Sequence, residues 1–241
     1  MAKRRKPRPR RGPTLTTQVT KPMTSTTLPQ PQRWRLVFAK TEPMRYTSNL
    51  DVQRTLERMF RRADLPLWHS RGYNPRPKMH IAAALPLGVT GRAEIMDFWL
   101  ERPLHADEIR RRLVRAQPPG LQVIDLYPVP LEAPALQNQV RAAEYEARFV
   151  TAVPDLDERV RALLARAHIV RERRGKTYDL RPLIERLQAH PAGPDEPGPR
   201  LTMVLTARPG ATGRPDEVVA ALGLDPAEAR VERLRLFLDP D

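Results

Sequence analysis

The stretch YTSNLDVQRTLERMFRRADLPLWHSRGYNPRPKMH, from Tyr46 to His80, decides how the chain is read. Its first half predicts a helix. Ser48 stands three residues ahead of Asp51, the spacing of a capping box, with a carboxylate near the positive end of the helix dipole. Leu50, Val52, Leu56, Met59, Phe60 and Ala63 recur at steps that place them on one side of that helix. Arg54, Arg58, Arg61 and Arg62 fall on the other side, with only Glu57 among them. The second half cannot continue the helix, because Gly72, Asn74, Pro75 and Pro77 interrupt it within a few residues. A basic helix thus feeds a stiff loop carrying Trp68, His69, Arg71, Tyr73, Asn74, Arg76 and Lys78. Guanidinium, aromatic and amide groups in that mixture suit phosphate and base contacts. A charged helix face is often only a solvated surface. Here one sign dominates, and the loop that follows is polar and stiff, as binding loops tend to be.

Working outward, residues 35–40 (RLVFAK) read as a strand, and residues 79–87 and 93–100 as two more, joined by a Gly-flanked turn at 88–92. Residues 106–116 form a second amphipathic helix, stopped by Pro118-Pro119-Gly120, and residues 121–129 a closing strand. The order β-α-β-β-α-β is the split arrangement of ferredoxin-like domains. Residues 131–142, rich in Pro and Gln, read as a linker. Beyond it the order recurs: strand 143–152, helix 156–166, a strand or hairpin over 169–180 turning near Gly175, a helical turn within 181–189, strand 201–208, helix 216–222 and strand 231–238. The expectation is an α+β chain of tandem ferredoxin-like (βαββαβ) two-layer units at 34–130 and 143–241, behind a disordered basic tail at 1–33. No residue-level repeat joins the halves, so the duplication is one of element order.

The chain has 241 residues, a formal net charge of +14 and no cysteine. Disulfides, thiolate metal sites and a cysteine-ligated iron–sulfur cluster are therefore excluded for this polypeptide alone. Residues 1–33 hold nine Lys and Arg and no acid, so the tail adds sequence-blind phosphate affinity or simply solubility. Such a balance predicts attraction to polyanions, nucleic acid first. There is neither a signal-like apolar segment nor a membrane-length apolar run, and a cytoplasmic protein is expected.

Catalytic motifs are sparse. The five histidines form no HxxxH or HxH pair, so no metal site is expected, and there is no P-loop, nucleophile elbow or dinucleotide fingerprint. Ser70 beside His69 is adjacent in sequence, which does not create nucleophile–base geometry. Asp51 and Asp179 remain as catalytic candidates, since an Asp among arginines can serve an RNA-modifying enzyme as nucleophile or base, as in pseudouridine synthases. Each has a plainer reading: Asp51 supports a helix start, and Asp179 pairs with Arg181 or caps the next turn.

The central run also resembles a known family, the bacterial radical-SAM-associated or radical-SAM-linked proteins. The resemblance is carried by Ser48-Asn49-Leu50-Asp51, the Arg54, Arg58 and Arg61-Arg62-Ala63 series, Leu65-Pro66, Ser70-Arg71-Gly72-Tyr73-Asn74-Pro75-Arg76-Pro77, Leu85-Pro86-Leu87-Gly88-Val89, and Glu94 with Asp97. It is dense from about residue 35 to 100 and thinner beyond, where Tyr178-Asp179-Leu180-Arg181-Pro182 resembles a second signature. Asn49 departs from the pattern, which has His there, and Asn cannot titrate. The resemblance implies a partner, a radical SAM protein encoded nearby. S-adenosylmethionine and an iron–sulfur cluster would then sit on that partner and none on this chain.

Together these readings lead us to expect a non-catalytic RNA-binding or substrate-presenting accessory protein of a radical SAM enzyme, acting in tRNA or rRNA modification. Arg54, Arg58, Arg61, Arg71, Arg76 and Lys78 would hold phosphate, and Tyr73 and Asn74 a base edge. Ser70, Gly72, Pro75 and Pro77 would shape the loop. The alternatives are a stand-alone RNA-modifying enzyme using Asp51 or Asp179, and an adaptor docking an acidic protein through its Arg face.

Overall fold

In a computed structural model of the chain, residues 31–173, 175–193 and 198–239 are described. The expected disordered tail therefore lies outside the described residues up to residue 30; Gln32 and Arg33, counted with it, belong to the first strand. In chain order the elements are β1 (Gln32–Lys40), α1 (Asn49–Arg62), β2 (Met79–Ile81), β3 (Thr90–Leu100), α2 (Ala106–Ala116), β4 (Leu121–Val129), α3 (Leu136–Gln139), β5 (Val140–Phe149), α4 (Leu156–Leu164), β6 (Val170–Arg173), β7 (Lys176–Asp179), β8 (Ile184–His190), β9 (Arg200–Arg208), β10 (Ala211–Thr212), α5 (Pro215–Ala221) and β11 (Ala229–Leu238).

The strands alternate by the pleat. In β1, Trp34, Leu36 and Phe38 turn to the core shared with Leu56, Met59 and Phe60 of α1 and Ile109 and Leu113 of α2. Arg33 and Arg35 consequently turn to the opposite face. A second core gathers Tyr145 and Phe149 of β5, Val160 and Leu163 of α4, Leu187 of β8, Met203 of β9, Val218 and Val219 of α5, and Val231 of β11. Together they make an α+β protein with one large mixed sheet.

The stretches expected as tandem units, 34–130 and 143–241, share one sheet. Among the described residues nine strands form a single sheet, running β10-β9-β5-β11-β3-β1-β4, with β8 paired to β9 and β2 to β3; β6 and β7 form a separate hairpin. Strand β3 is the seam. One edge pairs antiparallel with β1. On its other edge β2 lies against Met96–Phe98, while Thr90 and Gly91 pair in parallel with Glu232 and Arg233 of β11.

Three local expectations also change. Residues 79–87 hold only the short β2, because Pro86 and the turn at Gly88 take the rest out of the ladder. The helical turn expected within 181–189 is a 3-10 turn at Arg181–Leu183 followed by β8, whose Ile184 and Leu187 are buried against β9. The expected linker is a strap: Arg33 donates to Ala133 O at 2.6 Å and Pro134 O at 2.8 Å, and α3 buries Leu136 and Gln139 before β5 starts.

Charge is buried in this sheet. Asp97, fully buried, accepts from Arg33 Nη2 at 2.6 Å and from Arg35 Nε at 2.7 Å. Arg35 Nη2 also donates to Gln139 Oε1 at 3.1 Å. Glu94 of β3 pairs with Arg233 of β11, which also donates to Ala83 O at 2.8 Å. Removing one partner of such a pair strands a charge in low dielectric, which costs about 3–5 kcal/mol. Asp97→Asn is therefore expected to lose about that much stability in equilibrium urea unfolding; an unchanged midpoint would show that the buried ion pairs hold nothing together.

Candidate nucleic-acid interface

Helix α1 begins as its sequence suggests. Ser48 is the N-cap and its Oγ accepts from Asp51 N at 3.2 Å, while donating to Asp51 Oδ2 at 2.7 Å. Val52, Leu56, Met59 and Phe60 are buried. Leu50, assigned to the apolar side, is instead 63% exposed in the first turn. Arg54, Arg58, Arg61 and Arg62 are all exposed. Arg54 leans on Asp51 at 3.4 Å, and Arg62 donates to Ala116 O at 2.8 Å. The side chains of Arg58 and Arg61 have no hydrogen-bond or ion-pair partner among the described residues.

That last hydrogen bond ties the C-terminal ends of α1 and α2, and Arg112 Nη1 answers it by donating to Asp64 O at 2.7 Å. Between the two ends lies an open groove of about 600 Å³, walled by Arg62, Arg112 and Arg115 with Asp64, Pro118 and Pro119. Exposed Arg111 and Arg115 on α2 extend the basic surface. Part of this charge complements the negative ends of both helix dipoles. The dipoles do not account for Arg54 and Arg58, which lie earlier in α1.

The loop after α1 is hairpin-like. Trp68 N donates to Trp99 O at 2.8 Å, Lys78 N to Trp68 O at 2.7 Å, and Ser70 N to Arg76 O at 2.8 Å. Ser70 Oγ accepts from Arg76 N at 3.1 Å, so Ser70 clamps the loop, and Pro77 forms a bridge with His69. Beyond the clamp Arg71, Gly72, Tyr73, Asn74 and Pro75 are exposed, Tyr73 completely.

The structure divides the residues that the sequence grouped together. Lys78 Nζ sits 4.2 Å from the centroid of Trp99, with Arg33 and His80 each 5.2 Å from the same ring. Trp99 alternates with Phe98 and Leu100, which face the helices, so this cluster lies on the sheet face away from α1. Arg54, Arg58 and Arg61 therefore form one surface with α2, and the base of the loop belongs to another. Burial, then the Lys78 charge, pushes the His80 imidazole below its usual value.

The two candidate carboxylates are engaged locally. The Ser48 hydroxyl, then Arg54, holds Asp51 below the usual carboxylate range. Asp179 closes the β6–β7 hairpin: Oδ1 accepts from Ile169 N at 2.8 Å and Arg181 N at 3.0 Å, and Oδ2 lies 2.8 Å from His168 Nδ1. Those backbone donors and His168 lower it to about 2. Neither carboxylate lines the grooves at α1 and α2 or between the halves.

Sequence reasoning missed the buried charges Arg33, Arg35, Lys40 and Arg233, although Glu94 and Asp97 were singled out. Lys40, almost fully enclosed, donates to Arg45 O and Val89 O, both at 3.1 Å, and to Thr47 O at 3.3 Å. Burial pushes it below its usual value against the pull of Glu94. The available signal was the alternation of Arg33 and Arg35 with Trp34 and Leu36. Among the described residues no group of acidic, His or Cys side chains could hold a metal, and no helix is long and apolar enough to cross a membrane.

This fold and surface define an α+β protein whose helix layer is basic. The chain belongs to the family of uncharacterised proteins conserved in bacteria, DUF2344, whose pattern matches residues 33–215. No curated protein matches it. Among solved structures it is similar to an archaeal box H/ACA sRNP Nop10–Cbf5 complex at 12% identity and TM-score 0.41, covering 86% of this chain and 49% of that one. It is also similar to a Cbf5–Nop10–Gar1 complex at 10% identity and TM-score 0.43, covering 84% and 48%. The chain thus spans about half the length of the solved chains it matches. A likeness at this level carries no inference about activity or partner.

The Asp179 carboxylate yields a pH expectation. Its folded value lies near 2, below the ordinary carboxylate value, so the unfolded chain binds more protons as pH falls between the two. Its stabilisation is complete above about pH 4 and is lost as pH drops through 2. Asp179→Asn is expected to flatten that part of an acid-unfolding profile followed by circular dichroism; an unaltered profile would remove Asp179 as the hairpin's clasp.

Proposed function

We propose that the protein is a non-catalytic accessory factor that binds RNA on its α1/α2 surface and presents it to a radical SAM enzyme, in tRNA or rRNA modification. The observation that carries the binding half is the predominantly basic surface of Arg54, Arg58 and Arg61 on α1, continued by the groove at Arg62, Arg112 and Arg115. The side chains of Arg58, Arg61 and Arg115 have no partner among the described residues, so their donors are open to phosphate oxygens. The enzyme half rests on the sequence resemblance; this chain has no cysteine with which to ligate an iron–sulfur cluster itself, so on this reading S-adenosylmethionine and the cluster belong to the partner.

The same reading treats each half as a ferredoxin-like unit. β1–β4 pair in the order β4-β1-β3-β2, and the second half pairs as β11-β5-β9-β8, with α4 and α5 as the crossovers. On this view β3 and β11 join two such units edge to edge, and one helix layer has become the RNA-facing surface. The loop from Arg71 to Lys78, with Tyr73 and Asn74 at its exposed tip, serves the other sheet face as a contact for RNA or for the partner enzyme.

Crosslinking and sequencing of RNA bound in cells tests this reading, with Arg54/Arg58/Arg61→Glu as the control. The expected result is a discrete RNA species lost in the variant. In vitro, the slope of log affinity against log salt on single-stranded RNA is expected to fall by about 2, since each lost phosphate contact contributes about 0.7. Unchanged binding would overturn the reading and leave the Arg surface as a protein-docking face. Recovery of a cluster-bearing enzyme with the wild-type chain tests the partner, and its absence would end that part of the proposal.

A further inference from the structure

A second recess lies at the other end of α1 from the basic groove. It runs between the two halves of the chain and holds about 330 Å³, within the range of small-ligand sites. Tyr46, Pro86 and Leu87 wall it from one half, and Pro215, Pro226 and Val231 from the other. Arg45, Arg214 and Asp216 supply its polar groups.

Tyr46 stands out in this recess. It is 73% exposed, yet the backbone under it is fixed. Gly88 N donates to Arg45 O at 3.1 Å, and Arg45 Nε donates back to Gly88 O at 2.8 Å. Gly88 has φ +81°, and a Cβ there would come within 3.7 Å of the Tyr46 ring. The Arg45 guanidinium lies 5.2 Å from the ring centroid and braces it. An aromatic ring is thus held in a set position with most of its surface in solvent. Arg214 and Asp216, paired at 3.0 Å, place donors and an acceptor in the same recess. Stacking surface, apolar walls and a paired donor and acceptor are what a planar heteroaromatic ring requires.

We propose that this cleft takes one nucleobase of a single-stranded RNA, stacked on Tyr46, while the strand's phosphates run along α1. The inference rests on the RNA-binding reading above and adds the base site to it. The geometry is continuous: Tyr46 lies just ahead of the first turn of α1, and Arg62 ends it. Between them α1 spans 14 residues, about 21 Å, with Arg54, Arg58 and Arg61 on one stripe. A polyanion threaded along that stripe meets the cleft at one end and the basic groove at the other. A neutral peptide side chain would fit the same walls and gain nothing from the stripe, so charge favours RNA.

The test uses the full chain with short oligoadenylate and oligouridylate strands carrying 2-aminopurine at successive positions. Wild-type protein is expected to quench one position strongly. Tyr46→Ala should abolish that quenching and weaken binding about tenfold, while Tyr46→Phe, which keeps the stacking face, should bind as wild type. An abasic residue at the quenched position should cost wild type the same factor and cost Tyr46→Ala nothing more. The exposed ring makes a folding defect in Tyr46→Ala easy to exclude by its melting curve. If Arg54/Arg58/Arg61→Glu loses RNA while Tyr46→Ala does not and no position is quenched, the base site is overturned and the RNA reading stands. If neither variant loses RNA, both are overturned. Quenching that survives in Tyr46→Ala would also overturn the assignment, placing the base elsewhere.

Discussion

The structure depends on two carboxylates of one strand. Glu94 and Asp97 lie on β3, and both are buried with guanidinium partners. Three residues apart on a pleated strand, they project to opposite faces. Asp97 reaches the face away from α1 and α2 and gathers Arg33 and Arg35, and through them the strap at Ala133, Pro134 and Gln139. Glu94 reaches the other face and holds Arg233 of the last strand, which also binds the carbonyls at Ala83 and Ala84. Taking such ions from water costs several kcal/mol each, and only near-saturated hydrogen bonding offsets it. Both arginines that bind carbonyls show that saturation. The pairs therefore act less as a source of net stability than as a condition on assembly: β11 and the strap must dock where they do, or a charge is left bare.

This requirement explains which parts of the fold were legible in the sequence. Helices α1 and α2 and strand β4 announce themselves through local signals: the Ser48 cap, apolar residues at helical steps, and the Pro118-Pro119-Gly120 stop. Each forms close to where it was read. The elements that were missed or shortened take their conformation from distant partners. Residues 184–190 lack strand-like alternation, but they pair with β9 and bury Ile184 and Leu187 there. The strap reads as linker because its anchor is Arg33, about a hundred residues away, which composition assigned to the tail. The join of the two halves was not legible, because it is made by contacts between distant residues: a two-residue parallel pairing, the buried Glu94–Arg233 ion pair, and a core that Ala82, Leu85, Val89 and Ile95 share with the second half.

The candidate site was legible in its residue types and not in its grouping. Sequence proximity placed the Arg face of α1 beside the loop at 70–78, since only a few residues separate them. The chain, however, passes across the end of β3 at Leu67, paired with Leu100, and comes back on the other face. Contiguity in sequence thus became opposition in space. The surface that does adjoin α1 comes from α2, some fifty residues on, through the crossed hydrogen bonds of Arg62 and Arg112. That pairing requires knowing that both helices lie on one face with their C-terminal ends together.

The acid–base properties of the carboxylates bear on binding against catalysis. A general acid or base works best with its pKa near the working pH, which enzymes reach by burying a carboxyl or setting another negative charge beside it. Asp51 and Asp179 are treated in the opposite way: each is exposed enough to stay solvated and is lowered by hydrogen-bond donors. Each is thereby kept ionised and made a weaker base. A nucleophilic carboxylate is also ionised, but it needs a lone pair aimed into a recess where substrate can sit. Both oxygens of Asp179 are taken by Ile169, Arg181 and His168, and both oxygens of Asp51 by Ser48 and Arg54. Among the described residues the side chains of Arg58 and Arg61 on α1, Arg115 at the groove and Arg71 on the loop are left without partners. Along α1 what stands available to solvent is the means to hold an anion, while the two candidate carboxylates, Asp51 and Asp179, are already committed to holding local structure.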